Sequence, residues 1–152
     1  MIVMSHDIVS GKGLESMTDE RPPRPERLKE FAILVTARHW TARYEWYAHH
    51  RLALKAGLNP AVAEDLAQGR RPAGMQEDET VIYDFSHELH NRHAVSDATF
   101  KAVVDKFGEQ GVVDLIAVNG YYVLVSMTLN VDRTLIPGGG KPPLPLLPIH
   151  QK

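Results

Sequence analysis

The sequence contains no cysteine among its 152 residues. This absence excludes disulfide bonds, thiolate nucleophiles and zinc sites built on sulfur ligands, and it is compatible with a reducing compartment. Any chemistry that the chain performs must therefore use oxygen and nitrogen groups. A length of 152 residues suits one domain with a substantial core.

A strong excess of one charge sign is also lacking, since the formal net charge is -2. No run of lysine and arginine dominates any segment, which argues against nucleic acid as a partner. The first residues show no basic region followed by a long apolar stretch, so the sequence predicts no secretory signal and a cytoplasmic protein. In the most apolar stretch, residues 112–130, Asp114 and Ser126 interrupt the apolar run, so a core helix is favoured and no membrane association is predicted.

Apolar periodicity and helix-stop residues predict an all-α fold of about six helices. The predicted helices run from Pro25 to His39, Thr41 to Ala56, Asn59 to Gly69, Glu77 to His93, Ser96 to Gly108 and Val112 to Asn130. Thr41 is expected to cap the second helix, and the last helix is expected to be central, with a strand pair as its local alternative. These helices form one domain over residues 25–136. A flexible segment, residues 1–24, precedes it, and an extended Gly/Pro-rich arm, residues 137–152, follows and could clasp a neighbouring subunit.

Glu45 and His49 lie four residues apart in the second predicted helix. This spacing places both side chains on one helix face, about one turn apart. Ala48, Leu52 and Ala56 continue that face, so the pair is predicted to point toward the interior. There a carboxylate favours the imidazolium while desolvation favours the neutral ring, which makes the proton's position tunable near neutral pH. The alternative is a surface pair worth about 0.3 kcal/mol.

The surrounding residues extend this pattern. Glu30 precedes the pair, Ala42 stands three residues before Glu45, and an A-x-x-A-G-L helix end follows His49 at residues 53–58. From about Pro25 to Gly140 the chain resembles the carboxymuconolactone decarboxylase and alkylhydroperoxidase D superfamily, whose redox members carry a glutamate, a Cys-x-x-Cys pair and a histidine in this order. Because Ala42 and Glu45 occupy the cysteine positions, the chain is most similar to the cysteine-free, decarboxylase-type members. Further matches are V-S-D-A-T-F at residues 95–100, G-Y-Y at 120–122 and L-N at 129–130.

The resemblance implies an alkylhydroperoxidase D-like helical fold and an enzyme that decarboxylates, or transfers a proton on, a small carboxylated lactone or a related acid. Such a reaction stabilises an enolate and delivers a proton, and it needs no metal or other cofactor. In this hypothesis His49 donates or shuttles the proton, and Glu45 orients the imidazole of His49. Glu30 serves as a second acid or as a hydrogen-bond partner. The resemblance also implies homo-oligomers, as trimers or trimer-based rings, with pockets near subunit boundaries.

Four further residues are candidate substrate contacts, namely Arg38, Trp46, Tyr122 and His93. Arg38 could receive an anionic substrate through a bidentate contact, with a solvated basic edge as the alternative. Trp46 and Tyr122 could wall a pocket around a planar substrate, with ordinary core packing as the alternative. His93 stands where similar proteins often have a histidine before V-S-D-A-T, so both pocket lining and helix termination are open.

Two other functions stay open. An alkylhydroperoxidase-type peroxidase is disfavoured because the chain lacks the thiolate that such chemistry requires. A catalytically inactive, oligomeric protein that binds small ligands is favoured by the segment 1–24, which does not look like the additional helical region usual in similar proteins. The spacing of His87 and His90 would suit two metal ligands, but the sequence identifies no third one, and no metal site is predicted.

Overall fold

The computed structural model describes residues 25–139 and 144–146. Within these ranges the chain forms five α-helices and no β-strand, which confirms the predicted all-α fold. The helices are α1 Glu26–Trp40, α2 Arg43–Lys55, α3 Pro60–Ala67, α4 Glu77–Arg92 and α5 Asp97–Asp132, and a 3₁₀ turn follows at Pro137–Gly139. The predicted flexible segment, residues 1–24, lies outside the described residues.

The fifth and sixth predicted helices are the two parts of α5, which is broken at Gly108. Gly108 has φ 73° and ψ 174°, a backbone conformation that essentially only glycine adopts. The break therefore falls where the sequence predicts the end of a helix. The whole segment from Val112 to Asn130 is helical, so the strand alternative is excluded.

The central helix is α1, which packs against α2, α3, α4 and α5. Every residue from Glu30 to Arg38 is buried, because the helix is apolar nearly all round and has neighbours on each side. The expectation that the last helix is central is therefore wrong. The outer face of α5 is exposed, whereas α1 carries the polar groups of Glu30, Thr36 and Arg38 into the interior.

Thr41 marks the turn between α1 and α2. It has φ 49° and ψ 40° and ends α1, while Ala42 takes the N-cap position of α2 without a side-chain hydrogen bond. The predicted capping role of Thr41 is therefore wrong. Its hydroxyl instead accepts a hydrogen bond of 2.8 Å from Arg38, so it is directed back toward α1. At the other end, Gly57 with φ 99° follows the last turn of α2, as predicted.

Two residues of the C-terminal arm, Leu144 and Pro145, contact their own chain. Leu144 is fully buried in the main core, and the carbonyl of Pro145 accepts a hydrogen bond of 2.7 Å from Arg38. Leu144 and Pro145 therefore contact their own chain, whereas Leu146 is exposed, and a clasp on a neighbouring subunit stays a prediction. The rest of the arm after Gly139 lies outside the described residues.

Helix α5 is long and apolar enough to cross a membrane by length and composition alone, a test that the core helix of a soluble protein also passes. Its inner face is packed in the protein, because Asn119 and Ser126 are buried and hydrogen-bonded to side chains of α4 and α2. These contacts fix α5 against the other helices and place its residues beside α2.

Candidate functional site

Helices α1 and α2 bring Glu30 and His49 into direct contact. The Nδ1 atom of His49 lies 2.7 Å from Oε2 of Glu30, a distance that suits a charge-assisted hydrogen bond. Glu30 is 1% exposed, whereas the side chain of His49 is 17% exposed. The carboxylate is thus enclosed while the imidazole stays at the border between the interior and the surface.

Glu45 forms its hydrogen bond with α5 and not with this pair. Its Oε2 atom lies 2.6 Å from the hydroxyl of Ser126, a hydrogen-bond distance, and its buried Oε1 atom has no hydrogen-bond partner among the described residues. Burial raises the pKa of Glu45 to about 8, against the lowering effect of the hydrogen bond from Ser126. Glu45 is therefore mostly a neutral carboxylic acid at pH 7.

These contacts correct the role assigned to Glu45 from the sequence. The side chain that holds His49 is Glu30, since the hydrogen bond to the imidazole comes from α1. Residues one turn apart share a helix face, but each can still reach a different neighbouring helix. The surface-pair alternative is also excluded, because Glu45 is 2% exposed.

Tyr122 of α5 lies beside both acidic groups. Its ring meets the ring of His49 edge-on, with centroids 5.1 Å apart and an interplanar angle of 87°. Burial raises the pKa of Tyr122 well above its ordinary value, and the charges of Glu30 and Glu45 raise it further. Its phenol is therefore within electrostatic reach of both carboxyl groups and stays protonated. These four residues, Glu30, Glu45, His49 and Tyr122, are called the acid–base cluster below.

Tyr121 adds a second phenol next to this cluster. Its ring packs edge-on against Tyr122 at 5.2 Å between centroids, and its buried hydroxyl has no hydrogen-bond partner among the described residues. Residue type alone marks both tyrosines as candidate pocket walls, but only the fold shows that Tyr122 faces His49.

Arg38, a candidate substrate contact, forms hydrogen bonds outside the acid–base cluster. Its guanidinium is buried and donates hydrogen bonds of 2.9 Å and 2.7 Å to the carbonyls of Ala67 and Pro145, and one of 2.8 Å to Thr41. These contacts tie α1 to the end of α3 and to the C-terminal arm. The structure therefore gives Arg38 a position in the framework and not in the acid–base cluster.

Trp46 and His93 also lie outside the cluster. Trp46 is 2% exposed, belongs to the main core and stacks on His50 with centroids 5.7 Å apart. His93 is exposed and ends α4 with φ 60°. Core packing for Trp46 and helix termination for His93, the alternatives given above, describe these positions. Of the four candidate substrate contacts, Tyr122 alone joins the acid–base cluster.

A second buried polar group, which no sequence pattern indicated, links α1, α4 and α5. The hydroxyl of Thr36 lies 3.0 Å from Nε2 of His90 and 3.2 Å from Oδ1 of Asn119, whose Nδ2 donates to Ser86 at 3.1 Å. Burial lowers the pKa of His90 to about 4, and the charge of His39 lowers it further, so His90 is neutral at pH 7. Among the described residues, no group of three or more histidine, aspartate or glutamate side chains is arranged to hold a metal ion.

The acid–base cluster is thus defined by its own geometry. A carboxylate fixes one imidazole nitrogen, and a buried neutral carboxyl and a phenol stand beside it. No family model matches the chain, and neither does any curated protein or solved structure. The resemblance to the carboxymuconolactone decarboxylase superfamily therefore stays a prediction based on the residues named above.

Proposed function

We propose that the chain is a carboxymuconolactone decarboxylase-like enzyme. It would decarboxylate, or transfer a proton on, a small carboxylated lactone or a related acid. The observation that supports the proposal most strongly is the contact of His49 with Glu30, in a cluster that also contains the buried Glu45, whose pKa burial raises to about 8. Paired groups whose environments separate their protonation states are the arrangement that acid–base catalysts use near neutral pH.

In the proposed reaction, the bond between the substrate and its carboxylate breaks and carbon dioxide leaves. The electron pair of that bond delocalises into the conjugated carbonyl and forms an enolate, which then takes up a proton at carbon. Because Glu30 holds Nδ1 of His49, the free Nε2 atom is the one that exchanges the proton. The neutral Glu45 and the Tyr122 phenol are donors that can stabilise the enolate oxygen.

The direct test is release of carbon dioxide from carboxymuconolactone and from a panel of related unsaturated acids. We expect measurable release by the purified protein in the presence of a chelator, and no peroxide consumption with a thiol donor. Turnover of peroxide would favour the alkylhydroperoxidase alternative. Shifts in melting temperature with these acids, without release of carbon dioxide, would favour the inactive ligand-binding protein.

We also propose that the chain forms a homo-oligomer through the outer face of α5. Exposed apolar side chains follow this face at helical spacing with a glycine at their centre, namely Val113, Ile116, Gly120, Leu124, Met127 and Val131. Apart from Val131, the spacing is symmetric about Gly120, so an antiparallel two-fold pair would set Ile116 of one copy opposite Leu124 of the other. A Cβ at Gly120 would meet no atom within 4 Å, which leaves room for a close approach.

Replacing Gly120 with arginine is expected to reduce the oligomer to a smaller species. The change puts bulk and charge at the centre of this face, but it should not harm the monomer, since most residues favour a helix over glycine by about 0.5–1 kcal/mol. Light scattering after size exclusion measures the mass, with the exposed Ala98→Arg on the same helix as the control. An unchanged mass, a monomeric parent protein, or binding of the parent protein to phosphatidylcholine vesicles would contradict this interface.

A further inference from the structure

A cavity of about 630 Å³ lies between the α1–α2 turn and the C-terminal end of α5. Its walls include Thr41, Arg43 and Tyr44 on one side and Leu129, Asn130 and Arg133 on the other. This volume lies in the range of small-molecule sites, about 300–1,000 Å³. No residue of the acid–base cluster lines it, so this space, called the arginine cavity below, is separate from that cluster.

The described lining of the arginine cavity carries positive charge. Arg43 and Arg133 line it, and none of the described residues that line it is acidic. Four other arginines, Arg27, Arg70, Arg71 and Arg92, each form an ion pair with a carboxylate. No such pair joins Arg43 or Arg133 to a described residue, and the buried Nε atom of Arg43 has no hydrogen-bond partner. A guanidinium in this state lacks the planar acceptor that it usually finds.

A third guanidinium adds to the repulsion near the cavity. Burial lowers the pKa of Arg38, and the positive charge of Arg43 lowers it further, so the two groups are within electrostatic range. The hydrogen-bond acceptors of Arg38 are carbonyls and the hydroxyl of Thr41, none of which carries a charge. No described residue neutralises the repulsion between these guanidinium groups, so a bound anion would offset it.

The backbone at the cavity wall is also unusual. Thr41 is β-branched and has φ 49°, and Arg133 has φ 54°. Both residues end helices, α1 and α5, where a left-handed conformation is common, although it is strained for a β-branched residue such as Thr41. Two of the three non-glycine residues with positive φ in the described chain thus stand at this one cavity.

We propose that the arginine cavity binds a small organic carboxylate, with the carboxylate between Arg43 and Arg133 and an apolar body against Leu129 and Leu135. Two guanidiniums supply the forked donors that match a carboxylate. The leucines, together with Tyr44, supply an apolar wall that inorganic anions would not use. This site does not depend on the proposed function, because the acid–base cluster contributes no wall to it.

The test is calorimetric titration with benzoate in the absence of any substrate. We expect saturable binding at one site per chain, weakened about 10- to 100-fold in both Arg43→Gln and Arg133→Gln, since each removes hydrogen bonds to a charged group. Arg51→Gln is the matched control, because Arg51 lies on the same helix but stacks on Tyr47 outside the cavity. Its affinity should equal that of the parent protein.

Two results would overturn the site. The first is benzoate binding that is absent, or that is equally strong in the parent protein and in all three variants. The second is binding of inorganic phosphate as tight as that of benzoate, which would leave the apolar wall without a role. Circular dichroism and melting temperatures establish that each variant is folded, and carbon dioxide release, measured separately, reports on the acid–base cluster alone.

Discussion

Glu45→Gln is expected to make the protein more stable than the parent at pH 8, by about 2–4 kcal/mol, with little difference near pH 4. In the folded chain burial raises the pKa of Glu45 to about 8 from an ordinary value of 4.5. The folded state binds this proton more tightly than the unfolded state does. The stability that the proton contributes is therefore fully present below pH 4.5, and it is lost as pH rises to about 8. The loss has an upper limit of about 1.4 kcal/mol per pH unit. Glutamine cannot ionise, so the variant does not lose this stability as pH rises.

Urea unfolding of both proteins at several pH values between 4 and 8 measures this difference. The control is Glu109→Gln, which changes an exposed carboxylate on α5 and should leave the pH dependence of the parent unaltered. If the stability of Glu45→Gln ran parallel to that of the parent across the whole range, Glu45 would titrate as an ordinary carboxylate. The proposed neutral acid would then be absent.

His49→Gln is expected to lower the rate of carbon dioxide release from carboxymuconolactone by about 10²–10⁴-fold, the usual contribution of a positioned acid or base. Glutamine keeps a polar group that can donate to Glu30, so the surrounding packing should survive. It cannot carry the proton, however, because an amide does not titrate near neutral pH. Initial rates at saturating substrate give this ratio.

The neighbouring His50 is the matched control for that variant. His50 lies on the same helix and is half-buried, but it stacks on Trp46 and not on Tyr122. His50→Gln should therefore keep nearly the full rate. Equal rates for His49→Gln and the parent protein would remove His49 from the reaction, and equal losses in both variants would point to general damage to α2.

The helices were predictable where local chemistry sets their ends. Asn59 accepts a hydrogen bond from the amide of Ala61 at 3.0 Å, and Ser96 accepts one from Thr99 at 3.3 Å, as residues at these positions usually do. Gly57 and Gly108 take backbone conformations that few other residues allow. The prediction of Thr41 as a cap was wrong because tertiary packing places Arg38 beside it, and Arg38 donates a hydrogen bond to the hydroxyl of Thr41.

The sequence predicted which residues belong to the acid–base cluster, but not which residues they contact. Helical spacing indicates that Glu45 and His49 are neighbours, but it cannot tell which helix each one faces. The partner of His49 is Glu30, 19 residues earlier, and the partner of Glu45 is Ser126, 81 residues later. Likewise, nothing local distinguishes Arg38, whose guanidinium donates hydrogen bonds to buried carbonyl groups, from Arg43, for which no hydrogen-bond acceptor is found among the described residues.

The most direct measurement is a carbon-13 NMR titration of the glutamate carboxyl groups in the parent protein and in Glu45→Gln. We predict one carboxyl resonance that is missing from the variant and that titrates near pH 8 in the parent, since burial holds the proton on Glu45. A Glu45 resonance that titrates near pH 4.5 would show a solvated carboxylate. That result would contradict the central claim that α2 and α5 enclose a neutral acid beside the His49–Glu30 pair.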